Sequence, residues 1–497
     1  MRKPCDLHQK AYKQLLRSFI LRHIPSIVTY VTRIKLIIPF VVGCVLYALP
    51  IPQGLQPKAW HLFSIFASTI VGIVLRPYPM GIMAIFGLVA ALLTGTLDMC
   101  TEALIGFQTP TIWLVANVFF LARGFIKSHL GSRVAYHFIK KFGHNSLGLG
   151  YALSFSEFFM APFIPSSTAR SGGLMLPIVQ SICHAFHSKP ELNTQGKLGT
   201  YLVQCAFHAN IISSATFLTG MVSNPLCQSL AKTEGVSLTW MMWFSAAIVP
   251  GVLSILGMPF LLFKLSPPVM KKSEEAPLWA AAQLKILGPL SWAEKKMMVI
   301  FATTLGLWIF AEQLHINATT TAMLGFSMAI IAGVITLEDA LAEKDAWHTL
   351  LWLGILIGMS KYLQIFGFVD YLTGHLSHFL IGFSGKQSFY LLTISYFFLG
   401  YMFAGNSAHV SALYIAFLSL MISMGSPPVL SALVLAFMSS LYSSLTHYGS
   451  TTGGVYFSTN FVHIKTWWTV GFAVAIVNLS IWLGLGSVWW RYLGLFR

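Results

Sequence analysis

Acidic residues are scarce in this chain. Fifteen Asp and Glu stand against 31 Lys and Arg in 497 residues, and charged residues of both signs make up only 9%. Too few charges exist to cover a soluble surface of this size, which excludes a water-soluble enzyme or binding module. Cysteine pairs are absent too. Cys5, Cys44, Cys100, Cys183, Cys205 and Cys227 are scattered, mostly in apolar runs, so neither a disulfide framework nor a cysteine zinc site is implied. There is no HExxH, no Walker A loop and no GxGxxG fingerprint, so ATP-driven transport has no support within this chain. The net charge of +16 is not gathered into a stripe on a solvated fold, and nucleic acid is not an expected partner.

What is present is hydrocarbon. Hydrophobic residues make up 56% and mean hydropathy is +0.71. The apolar runs are long and continuous, unlike the alternating segments of about ten residues that build a β-barrel. The expected class is an all-α polytopic membrane protein. Spans are expected at about 36–50, 59–75, 80–97, 110–126, 198–218, 239–263, 297–311, 319–336, 348–366, 428–445 and 466–490, about eleven crossings. Residues 1–35 form a basic segment with Asp6 as the single acid, read as cytoplasmic and lying on anionic lipid. An organellar presequence has the same character. No cleavable secretory signal is evident. With the N-terminus inside, the cation-rich loops at 127–141, 189–197 and 264–296 and those with Lys344 and Lys465 also fall inside. That bookkeeping requires two segments, 146–187 and 388–424, to enter and leave on the same side. Segments 128–143 and 369–383 read as interfacial helices. The Lys- and Pro-containing stretch 264–296 reads as a cytoplasmic linker between a first half (36–263) and a second half (297–497).

The chain is organised around Pro165-Ser166-Ser167-Thr168-Ala169-Arg170-Ser171-Gly172-Gly173, which interrupts otherwise continuous hydrocarbon. Non-helical backbone at membrane depth is tolerated only where protein or a water-filled cavity covers it, so this stretch reads as a re-entrant hairpin tip. Ala404-Gly405-Asn406-Ser407-Ala408-His409-Val410 has the same character. An offset of 239 positions relates the two and also pairs Trp113 with Trp352, Ser156 with Ser395 and Leu174 with Leu413. Two helices end in matching breaks, at Thr219–Pro225 and Thr446–Gly454, with Ser213-Ser214 matched by Ser443-Ser444. An internal repeat with paired broken segments is the sequence pointer to a transporter site at the repeat interface.

Ser166, Ser167, Thr168, Arg170, Asn406, Ser407 and His409 make a donor-rich site, with Pro225 and Thr451 at the breaks completing the candidate substrate set. Hydroxyls, amides and helix N-termini favour anions, and a tip from each half suits an anion at each end, as in a dicarboxylate. Arg170 could grip a carboxylate bidentately, or pack against a carbonyl or Glu157. His409 could contact ligand or satisfy a local hydrogen bond. Asn224, unwound beside Pro225, could coordinate a hard cation.

These motifs resemble the divalent anion:sodium symporter family, and more closely its 2-oxoglutarate/malate translocator branch. The resemblance rests on Pro-Ser-Ser-Thr-Ala-Arg-Ser-Gly-Gly, on Ala408-His409-Val410-Ser411-Ala412-Leu413-Tyr414, on Leu445–Gly449, and on Lys465-Thr466-Trp467-Trp468, and it covers roughly residues 36–490. It implies an inverted-repeat, elevator-type fold, a homodimer, no organic cofactor, and Na+ as a coupling ion. One sodium site would involve Ser166, Ser167, Ser223 and Asn224. The other would involve Asn406, Ser407, Gly449 and Ser450. Ser167 stands where the family has asparagine, and Gly405-Asn406-Ser407 replaces a Ser-x-Thr pattern, so exchange without sodium stays open. The expected function is secondary transport of C4–C5 dicarboxylates, 2-oxoglutarate and malate first, in a bacterial inner membrane or an organellar inner envelope. An anion channel and an intramembrane hydrolase using Ser166 or Ser407 with His409 or His447 are the alternatives. The symmetric duplication speaks against a hydrolase, and a single cluster against a channel.

Overall fold

The computed structural model describes residues 34–377 and 382–496; residues 1–33 of the basic segment lie outside them. All regular structure among the described residues is helical. α1 (Ile34–Ala48), α2 (Pro57–Leu75), α3 (Met80–Leu93) and α4 (Pro110–Lys127) pack with α12 (Trp292–Ile309), α13 (Ala318–Ile331) and α15 (Lys344–Ile365), and the short α14 (Leu337–Leu341) joins α13 to α15. Small residues bring this framework close together. A Cβ on Gly106 would collide with the carbonyl of Gly354 on α15, so the backbones meet directly, as membrane helices do when no water drives them together.

Among the described residues, four helices can cross a membrane by length and apolarity alone, or up to six if two bent pairs each count as one span; four shorter apolar helices accompany them. The remaining expected spans carry polar residues, as α8 (Gly199–Thr216) does with Gln204, His208 and Asn210.

Two helices lead from this framework into the hairpins. α5 (Leu130–Phe142) follows α4, and α16 (Phe368–Ser377) follows α15 at a 66° bend. Residues 378–381 of the second expected interfacial helix lie outside the described residues. The first hairpin runs down α6 (Ser146–Met160), turns at 161–167, and returns through wide π-helical turns (Thr168–Met175) into α7 (Leu176–Ala185). The second descends α17 (Gly385–Leu399) and returns as α18 (Asn406–Ser423). Its tip turns at Gly405, whose φ of 150° only glycine adopts freely.

The broken helices lie beside them. α8 ends at Thr216, passes a 3-10 turn, and restarts as α9 (Ser223–Thr233). Pro225 sits in the first turn of α9, where its missing N–H costs nothing. α19 (Pro428–Leu441) ends in a 3-10 turn and restarts as α20 (Thr451–Phe457), capped by the Ser450 hydroxyl, which accepts from the Gly453 amide at 3.0 Å. α10 (Trp240–Leu265), α21 (Ile464–Leu479) and α22 (Gly486–Tyr492) close the bundle.

The linker is tied down. Residues 269–273 run as a strap across the base of the first hairpin. The Ser146 amide donates to the Lys271 carbonyl at 3.1 Å, the Ser273 hydroxyl to the Gly143 carbonyl at 2.7 Å, and the Val269 amide to the Gly196 carbonyl at 3.2 Å. α11 (Glu275–Leu287) then packs along α5. Arg133 on α5 donates to the Gly288 carbonyl at 3.0 Å and pairs with Glu294 at 2.5 Å.

Candidate functional site

Each hairpin tip is built twice over, once against its own half and once against the other. In the first half, Arg170 is completely buried. Its Nε meets Glu157 Oε1 at 2.7 Å; Nη1 donates to the carbonyls of Ile164 (2.5 Å) and Gly220 (2.8 Å); Nη2 donates to Ser214 Oγ at 2.9 Å. Asn210 Nδ2 also donates to Glu157 Oε1, at 2.6 Å. Of the two placements expected for Arg170, the structure shows the one against Glu157 and backbone carbonyls. Its donors are committed inside the protein, because a guanidinium this deep must be fully hydrogen-bonded to persist.

His409 likewise takes the local hydrogen bond, one of its two expected placements. It is fully buried, its Nε2 lies 3.0 Å from the Tyr396 carbonyl oxygen, and the rings of Tyr396, Phe403 and Tyr442 enclose it. It sits behind the second tip rather than in front of it. Asn406 donates to the Ser439 carbonyl and to Ser443 Oγ, both at 2.7 Å, and so ties the tip to α19.

The contacts across the halves are made by small hydroxyls. Ser167 Oγ accepts from Thr452 Oγ1 at 3.4 Å, joining the first tip to the start of α20. Ser407 and Ser223 hydroxyls lie 3.2 Å apart, joining the second tip to the start of α9. Ser166 accepts from the Ala169 amide at 3.1 Å and braces its own tip. Thr168, Ser167, Asn406 and Ser407 are half-buried, Thr451 is exposed, and Pro225 is buried. Each tip thus meets the broken helix of the opposite half through hydroxyl groups.

At the breaks, Asn224 donates through Nδ2 to the carbonyls of Ser214 (2.7 Å) and Phe217 (2.8 Å), and its buried Oδ1 has no hydrogen-bond partner. The carbonyl of Gly449 accepts from Tyr442 Oη at 3.1 Å. No group of three or more His, Cys, Asp or Glu side chains converges on a metal among the described residues. Sequence reading missed Asn210, Tyr442 and Thr452, whose partners are set by tertiary packing. It also missed Arg76, which ends α2 and whose Nη2 donates to the carbonyl of Ala404 at the second tip.

Comparison with known proteins agrees with this architecture. Residues 31–496 match the family described as sodium:sulfate symporter transmembrane region. The chain is 44% identical over 456 residues to dicarboxylate transporter 1, chloroplastic, of Arabidopsis thaliana, covering 91% of this chain and 82% of that one. It is 42% identical over 463 residues to the putative malate transporter YflS of Bacillus subtilis, covering 93% and 97%. Among solved structures, Neisseria gonorrhoeae MtrF, of a class of antimetabolite efflux pumps, aligns with a TM-score of 0.54 at 13% identity over 93% of this chain and 94% of that one, a likeness of fold alone. The hairpins, the paired breaks and these matches place the chain in the sodium:sulfate symporter family of membrane transporters, and not among enzymes.

Proposed function

We propose that the protein carries C4–C5 dicarboxylates across its membrane by secondary transport, with malate and 2-oxoglutarate as the favoured pair. The observation that carries this reading is the pair of hairpin tips, each bonded through a small hydroxyl to the broken helix of the opposite half. The chloroplast and Bacillus relatives named for dicarboxylates and malate support it. Ser166, Ser167 and Thr168 serve one carboxylate and Asn406 and Ser407 the other, with Pro225 and Thr451 at the starts of α9 and α20 shaping the space between. The hairpins and broken helices move as a unit against the framework, in a homodimer, within a bacterial inner membrane with the N-terminus inside.

Sodium fits the first break better than the second. Asn224 Oδ1, buried and unpartnered, is an oxygen a hard cation would use, and Asn224 bonds the carbonyl of Ser214, whose hydroxyl accepts from Arg170 just beyond Ser166 and Ser167. At the second break, none of Asn406, Ser407 and Ser450 offers a buried side-chain oxygen without a hydrogen-bond partner. A bound sodium ion would supply positive charge that draws a carboxylate between the tips.

The test is uptake of labelled 2-oxoglutarate into proteoliposomes, loaded with malate or empty, with and without an inward sodium gradient. Saturable uptake that needs internal malate identifies an exchanger, and sodium-driven uptake into empty vesicles identifies a symporter. Absence of saturable uptake under every condition overturns the reading.

A further inference from the structure

We infer that Arg76 is the cationic side chain that meets one carboxylate of the substrate at the second hairpin tip, and that it sets the preference for doubly over singly charged anions. This rests on the dicarboxylate reading above. Arg76 closes α2 in the left-handed conformation (φ 49°), with its amide bonded to the Gly72 carbonyl at 3.0 Å. From there its side chain leaves the framework and reaches the hairpin. Nη2 donates to the Ala404 carbonyl, and a Cβ built on Gly405 would lie 2.6 Å from that nitrogen. The guanidinium therefore lies against the tip backbone, immediately before Asn406 and Ser407.

Three further observations give it this role. None of the four ion pairs among the described residues includes Arg76. Its Nε and Nη1 make no hydrogen bond among the described residues, and the side chain is exposed. Every nitrogen of the other arginine at a tip, Arg170, is engaged inside the protein, and the side chain is fully buried. Hydroxyls and amides bring no full charge of their own to a dianion, and among the described residues Arg76 touches a tip without an ion-pair partner. The second N–H of Nη2, beside that of Nε or Nη1, presents a parallel pair of donors to a carboxylate, a geometry lysine does not offer. The N-terminus of the 18-residue α18 adds positive potential at the same spot.

The experiment compares competition by malate and by its two half-amides against labelled malate uptake in proteoliposomes. The unsubstituted chain is expected to favour malate over either half-amide. Arg76→Gln is expected to weaken malate by about 10- to 100-fold, the value of a charged hydrogen-bonded contact, with half-amide competition nearly unchanged and Vmax largely kept. The preference ratio then falls toward one. Arg76→Lys keeps the charge without the two-point geometry and is expected to weaken malate by about 3- to 10-fold. It serves as the readout if the glutamine variant fails to reach the membrane. Unchanged malate affinity in the variant measured, or a lower Vmax with an unchanged ratio, makes Arg76 a mechanical clamp on the hairpin and overturns the inference. Absent malate uptake by the unsubstituted chain overturns the dicarboxylate reading itself, and this inference with it.

Discussion

At positions 239 residues apart, the first hairpin places Glu157 and Arg170 where the second places Tyr396 and His409. Both pairs clasp the two limbs of a hairpin behind its tip. The first clasp is an ion pair at 2.7 Å, with both side chains fully buried and the guanidinium bonded onward to Ile164, Gly220 and Ser214. The second is neutral: an imidazole against a backbone carbonyl, stacked among aromatic rings, with Tyr396 Oη 2.8 Å from Ser439 Oγ. The same turn can thus be held by charge or by packing. A buried ion pair is stable only while both partners and their hydrogen bonds are present, whereas a neutral clasp loses one bond at a time.

That difference sets an order of damage. Glu157→Ala or Arg170→Ala strands a buried charge and is expected to cost about 3–5 kcal/mol. The double change Glu157→Leu with Arg170→Met is expected to cost less than either, and unfolding of the purified protein in detergent, followed by tryptophan fluorescence, measures both. Equal losses for single and double variants would break the comparison. In the second hairpin, His409→Phe leaves only the Tyr396 carbonyl without its partner and is expected to cost about 1–3 kcal/mol in the same assay. A loss as large as that of Arg170→Ala would show that the neutral clasp is no gentler.

The smallest stability effects belong to the bonds between halves. Ser167→Ala and Ser407→Ala each remove one neutral hydroxyl contact and are expected to shift stability by less than about 1 kcal/mol. Their larger effect is expected in the KM for dicarboxylate uptake, rising by similar factors for the two. Markedly unequal factors would mean that the two tips do not share the substrate evenly.

Sequence alone made the hairpins and breaks legible, because prolines, glycines and hydroxyls interrupt hydrocarbon at a constant spacing. It made α5 legible as well, since basic and apolar residues alternate at helical intervals. The direction of a side chain at a tip was not legible. Arg170 reads equally as a ligand grip or an internal brace until Gly220, fifty positions on, is seen to accept its hydrogen bond. Arg76 sits in a short Arg-Pro-Tyr-Pro connection that reads as an ordinary boundary, and only the fold brings it to Ala404, 328 positions away. Lysine and proline gave 264–296 the look of an open linker, yet the backbone of 269–273 bonds to two separate turns of the first half.

That strap has a consequence for how the chain is made. The base of the first hairpin is closed by residues translated after every other part of its half. While the ribosome is still upstream of residue 269, the amide of Ser146 has no partner from the linker, and α5 has no α11 to lie against. The contacts of the first half therefore run on past the last residue of α10, through α11 to Gly288. A gene divided just after codon 263 hands the fastening of one half to the other, and one divided just after codon 288 leaves it where it closes.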